Sequence, residues 1–196
     1  MKKRLATVVR KTNETDISLS LDLDGKGSSE ISTGIGFLDH MLTALTKHGG
    51  FDLSLSCKGD LEVDDHHTAE DCALALGQAM DEALGDRAGI TRFGYAYAPL
   101  DEALARAVVD LSGRPFADAS LALTGEKVGA LSCEMLPHVI VSLAAAAKAS
   151  IHVDVLKGTN DHHRAEAAFK ALALALKQAV GRTGSADVPS TKGVLK

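Results

Sequence analysis

Asp65-His66-His67-Thr68-Ala69-Glu70 returns 96 residues later as Asp161-His162-His163-Arg164-Ala165-Glu166, in a chain of 196 residues. A motif repeated at about half the chain length predicts two structurally equivalent halves. Each copy is an acidic residue followed by a long Ala/Leu run, so the histidines are predicted in the first turn of a helix. There the Asp accepts a bond from an otherwise unpaired backbone N–H. His66 and Glu70 stand four positions apart and His67 and Glu70 three, so either pair shares a helical face. Adjacent histidines project about 100° apart around a helix, which suits two ions better than one. A single His-His pair at a helix start is as readily polar decoration. Its repetition with the same downstream Glu, in a chain of eight histidines, points to metal binding.

The rest of the chain repeats around these motifs. Strands are predicted over Leu5–Arg10, Ile17–Leu23 and Ser28–Thr33, then a helix from Gly36 ended by Gly49-Gly50, and a strand over Phe51–Ser56. The first His-His helix follows, running to Leu84 with Gly85 closing it. In the second half, strands are predicted over Glu102–Leu111 and Phe116–Leu123, with Ala117–Leu123 matched to Thr15–Leu21. A helix over Leu131–Ala149, a strand over Ile151–Leu156 and the second His-His helix, closed by Gly181, complete it. Strands grouped beside paired helices predict an α+β sandwich of two halves, 1–91 and 92–181, each a mainly antiparallel sheet covered by two helices. The tail, 182–196, carries Gly, Ser and Pro without an apolar period.

A net charge of −5 and the lack of a Lys/Arg run argue against nucleic acid as partner, while leaving room for a local basic cluster around a small anion. Cys57, Cys72 and Cys133 are odd in number and widely spaced, so they are read as buried thiols of a reducing cytoplasm. No apolar run is long enough to span or anchor to a membrane.

His40 precedes the first His-His pair as His138 precedes the second. The duplicated ligand set is therefore His40, His66, His67, Glu70, His138, His162, His163 and Glu166, which divides into two sites of three His and one Glu. Such N/O donors without thiolate suit an octahedral Mn²⁺ with open positions, though Fe²⁺, Co²⁺ and Zn²⁺ accept the same ligand types. His48 and His152 have no duplicated counterpart and stay outside the metal set.

Assembled, these residues resemble the imidazoleglycerol-phosphate dehydratase family of histidine biosynthesis. The likeness runs through GFLDHML at His40, KHG at His48, GDLEVDDHHTAED, SGRPF at Arg114, NDHHRAEAAFKALALAL and PSTKG at Ser190. It implies a lyase that dehydrates D-erythro-imidazole glycerol phosphate to imidazole acetol phosphate, with two Mn²⁺ per active site. It also implies a homo-oligomer of 24 subunits and half-domains like domain 2 of ribosomal protein S5; the lack of a signal or membrane segment predicts a cytoplasmic protein, and a chain ending just past the tail predicts no fused phosphatase domain. By the same resemblance Glu14 is a proton shuttle and substrate contact, with Glu70 and Glu166 sharing the acid–base work. His48, Arg92, Arg114, Lys170, Ser190 and Lys192 match substrate-binding positions, and the tail joins the substrate site. The chemistry is consistent with the ligand set. The departing proton sits on a carbon with no neighbouring carbonyl, so the imidazole itself must take up charge, and a cation on a ring nitrogen favours that.

The chain departs from the family pattern at Thr43 and Ala44, where Asp-Gln is common, at Pro137, where Glu is usual, and at Val139 and Ile140, which replace aromatics. Two rival readings fit parts of the sequence. A DHH-type metallophosphoesterase also gathers Asp and His around two ions, but Asp22-Leu23-Asp24 has no duplicated counterpart. A metal-stapled storage particle needs neither open coordination nor Arg92, Arg114 and Lys192.

Overall fold

Along Thr15–Asp22 the side chains of Ile17, Leu19 and Leu21 point one way and are buried, while Asp16 and Ser18 point the other way and are exposed. The computed structural model, which describes residues 3–195, builds its first sheet around this strand. The first half holds β1 (Leu5–Lys11), β2 (Thr15–Asp22), β3 (Ser29–Ser32), α1 (Gly36–Gly49), β4 (Asp52–Gly59) and α2 (His66–Leu84). The second holds β5 (Phe93–Leu100), β6 (Ala103–Asp110), β7 (Phe116–Ser120), a small hairpin of β8 (Lys127–Val128) and β9 (Leu131–Ser132), then α3 (Met135–Ala147), β10 (Ser150–Lys157) and α4 (Asp161–Ala179).

Sheet orders are β1-β2-β4-β3 and β5-β6-β10-β7. In each, only the last pair, β3 with β4 and β7 with β10, runs parallel. The fold is thus α+β with duplicated, mainly antiparallel half-sheets. Helix α2 covers β1 and β2, and α4 covers β5 and β6; α1 then packs along α4, and α3 along α2. Each helix pair therefore joins the two halves. No helix among the described residues is long and apolar enough to cross a membrane, and Cys57, Cys72 and Cys133 are buried and free.

The strand Phe93–Leu100 is absent from the sequence reading, and the matching of Ala117–Leu123 to Thr15–Leu21 is out of place. The counterpart of β2 is β6, whereas Phe116–Ser120 fills the edge position of β3. The cause is an inverted size pattern in β5: Phe93, Tyr95 and Tyr97 face out, and Gly94, Ala96 and Ala98 face in. The inner face is small because α4 lies directly on it; a Cβ on Gly94 would stand 1.9 Å from the Ala175 carbonyl oxygen. Gly77 allows the same approach between α2 and α3, where a Cβ would meet the Leu143 oxygen at 2.6 Å. Glu102 lies in the β5–β6 turn rather than in a strand, and Leu131 belongs to the β8–β9 hairpin rather than to a helix.

The helix-start aspartates do not cap as expected. Asp64 accepts from the His66 N–H (2.8 Å), and Asn160 from the N–H groups of His162 and His163 (2.9 and 3.3 Å). Asp65 and Asp161 instead reach sideways to the segment before α3: Asp65 accepts from the Ser132 hydroxyl (3.0 Å) and Asp161 from the Gly125 N–H (2.7 Å). Two charged clasps close the ends. Arg87, buried at 1% exposure, donates to Asp81 on α2 (2.6 Å) and to the carbonyls of Ala147 and Lys148 behind α3 (2.8 and 3.0 Å). Asp24 takes Arg4 and Arg182 together, joining the first strand to the segment after α4.

Gly94→Ala forces backbone against backbone and is expected to cost about 3 kcal/mol by overpacking. A lowered urea midpoint at unchanged slope checks this. Asp24 is held far below the usual carboxylate range by its Arg4 and Arg182 hydrogen bonds. A depressed acid contributes stability above its unfolded pKa and loses it as pH falls toward the folded one. Asp24→Asn is therefore expected to cost about 1 kcal/mol at neutral pH, discounted for partial exposure. The gap to wild type should shrink below about pH 4, as read by denaturation across pH.

Candidate metal centre

The two helix crossings gather the repeated motif into two matching groups. Between α1 and α4, the Nε2 atoms of His40 and His162 lie 3.0 and 3.2 Å from Glu166 Oε2. Between α2 and α3, His138 Nε2 lies 3.1 Å from Glu70 Oε1, and His66 Nε2 3.8 Å from Glu70 Oε2. In each trio the ligand atoms fall within 4.8 Å of one another. The helical i,i+4 spacing sets His66 beside Glu70 and His162 beside Glu166. The third ligand comes from the other half in both cases. Neither half holds a complete trio.

His67 and His163 stand outside these trios, turned away by the helical rotation between neighbours. His67 Nδ1 meets Asp60 Oδ2 at 3.0 Å, and His163 Nδ1 meets Glu102 Oε2 at 2.7 Å. A carboxylate at Nδ1 favours the tautomer protonated there and leaves Nε2 as the atom a metal could take. The nearest acids to those Nε2 atoms are Glu14 at 3.7 Å and Asp101 at 3.8 Å. Asp60 raises the His67 pKa and Glu102 that of His163, while the Thr159 N–H and His163 pull Glu102 well below the usual range. The sequence reading missed Asp60, Asp101 and Glu102. Glu14 lies in the β1–β2 turn as Asp101 and Glu102 lie in the β5–β6 turn, so recognising β5 exposes the match.

The remaining candidates divide between two places. Lys170 pairs with Glu166 Oε1 at 2.8 Å. Burial raises the Glu166 pKa, but hydrogen bonds from Lys170 and His40 outweigh it and hold the carboxyl at about 2. His48, in the last turn of α1, has its pKa lowered by burial and by the nearby charge of Lys170. Arg92 sits past the other end of α4: its guanidinium bonds Asp110 (2.8 and 3.1 Å) and the Pro189 carbonyl (2.8 Å). The tail residue Ser190 adjoins Pro189 and accepts from the Lys192 N–H, and exposed Arg114 follows β6 at the same end. The run of α4 from His163 to Ala179 spans about 24 Å at 1.5 Å per residue. The chain alone does not bring Arg92, Arg114, Ser190 and Lys192 to either trio. His152 lies apart from both, on the outer face of β10 against Phe116, ring centres 5.3 Å apart.

Two imidazoles and one carboxylate per trio leave coordination positions open on a divalent ion, and the all-N/O donor set suits a hard to borderline cation. Proton transfer at an adjacent ligand is open to Glu14, which is half exposed.

Comparison with known proteins adds a second line of argument. Residues 33–176 match the family model for imidazoleglycerol-phosphate dehydratase. The imidazoleglycerol-phosphate dehydratase of Phaffia rhodozyma is 60% identical over 197 residues, covering 98% of this chain and 96% of that one. That of Phytophthora nicotianae is 62% identical over 192 residues, and there the chain spans only 42% of a longer relative. The crystal structure of the Staphylococcus aureus N315 enzyme superposes with a TM-score of 0.83 at 37% identity, covering 91% of this chain and 99% of that one. On this match and these identities, the chain belongs to the imidazoleglycerol-phosphate dehydratase family, hydro-lyases of histidine biosynthesis.

Proposed function

We propose that the chain dehydrates imidazole glycerol phosphate to imidazole acetol phosphate at a two-ion centre, with Mn²⁺ the fitting ion, assembled from several copies of itself. The observation that carries this reading is the set of eight ligands: six form two open trios, and His67 and His163 present a tautomer-fixed Nε2 outward. Each trio lacks one imidazole, and each outlying imidazole lacks a trio. Copies that exchange His67 and His163 complete both sites at once, in keeping with a closed particle of 24 subunits.

His40, His162 and Glu166 would hold one ion and His66, His138 and Glu70 the other, each joined by His67 or His163 of a neighbouring copy. An ion held by these residues would supply the electron sink that the substrate's imidazole needs. Glu14 moves the protons: the elimination takes a proton from one carbon and hydroxide from its neighbour, and the resulting enol becomes the ketone by gaining a proton on carbon and losing the one on its hydroxyl oxygen. Arg92, Arg114, Ser190 and Lys192 bind the phosphate, where guanidinium forks and a hydroxyl match a dianion. Their distance from the trios of their own chain is a second reason for sites shared between copies. Neither the phosphoesterase nor the storage-particle reading accounts for open trios together with a separate basic cluster.

Incubation of Mn²⁺-loaded protein with imidazole glycerol phosphate is expected to yield the acetol phosphate. Absence of product with the ion bound and the particle intact would refute the assignment. His163→Asn and Arg92→Ala proteins, each nearly inactive alone, should regain measurable turnover when dissociated and reassembled together. Mixtures as inactive as the separate variants would place the whole site within one chain.

A further inference from the structure

The 96-residue offset that matches Glu70 to Glu166 sets Leu74 opposite Lys170. Lys170 gives its ammonium to Glu166 Oε1 at 2.8 Å, while Glu166 Oε2 faces His40 and His162. Glu70 has ion-pair partners only in His66 and His138 among the described residues, and its side chain is 35% exposed against 14% for Glu166. The offset also sets Arg164 opposite Thr68, but Arg164 pairs with Asp161, so the two trios differ by one positive charge held on a ligand carboxylate.

Building on the reading above, we infer that the two ion positions fill unequally, that Lys170 sets the difference, and that phosphate relieves it. An ammonium sharing a carboxylate repels a divalent cation on the same group, so the Glu166 trio binds its ion more weakly than the Glu70 trio. A phosphate dianion offers Lys170 a stronger partner than half of a carboxylate. Drawing the ammonium away leaves Glu166 to the ion. By linkage, the ion then favours phosphate by the same factor. Lys170 is a positioning residue here: it acts through Glu166, and it makes occupancy of the second position depend on phosphate.

The test titrates metal-stripped protein with Mn²⁺, following free ion by its paramagnetic resonance signal. Wild type should fill in two steps whose affinities differ about tenfold, and inorganic phosphate should tighten only the weaker step. Lys170→Met should bring the steps together and abolish the phosphate effect. Leu74→Lys, which installs the charge in the other trio, should weaken the stronger step. Equal steps in wild type, or an undiminished gap in Lys170→Met, would overturn the inference while leaving the dehydratase reading in place. No Mn²⁺ bound at either step would overturn both.

Discussion

An imidazole from one half meets a carboxylate from the other because α1 lies along α4 and α3 along α2. That exchange of helix partners is the constraint on which the centre depends. Side chains as short as His and Glu span the gap only when the backbones approach closely. Gly77 sits under the Leu143 carbonyl between α2 and α3, and Gly94 of β5 sits under the Ala175 carbonyl of α4. Close packing also fixes the trios before any ion arrives, and ligands preset by packing lose little freedom on binding. The buried Arg87 clasp and the Lys148–Asp81 pair hold the far ends of α2 and α3 in step. An error at those ends would be felt at His138 and Glu70.

Much of this was legible in the chain. The duplicated His-His-x-x-Glu, the helix boundaries at Gly36, Gly50 and Gly85, and the alternation in β2 each report a local preference that the fold keeps. What failed had tertiary causes. The large residues of β5 face outward because α4 demands a Gly/Ala surface, so the strand has no ordinary apolar alternation to read. Asp65 and Asp161 look like caps in sequence, but neighbours already serve the helix N–H groups, which frees both to hold the segment before α3. The division into three His and one Glu per site left open which chain supplies each ligand, and the structure turns His67 toward Asp60 and Glu14 and away from either trio.

The departures from the family pattern have local physical accounts. Pro137 is the third residue of α3, where the backbone N–H has no intrahelical partner, so the missing donor costs little and His138 keeps its place. Val139 and Ile140 are buried and fill core space. Ala44 is buried on α1 while Thr43 is exposed. These substitutions leave the two trios intact.

The two halves keep one strand order but differ on their outer faces. Ser18, Ser20, Ser54 and Ser56 line the outside of the first sheet, with Val9 the main apolar exception. The outside of the second sheet carries Phe93, Tyr95, Tyr97 and Phe116, all more than half exposed. Contiguous exposed aromatics mark a contact surface, whereas a serine face remains comfortable in water. Such divergence follows if the two halves meet different neighbours in the proposed particle. Lys170 opposite Leu74 is the same divergence within the centre: equal ligands have acquired unequal surroundings, which is the ground for proposing a pair of sites that would distinguish two ions.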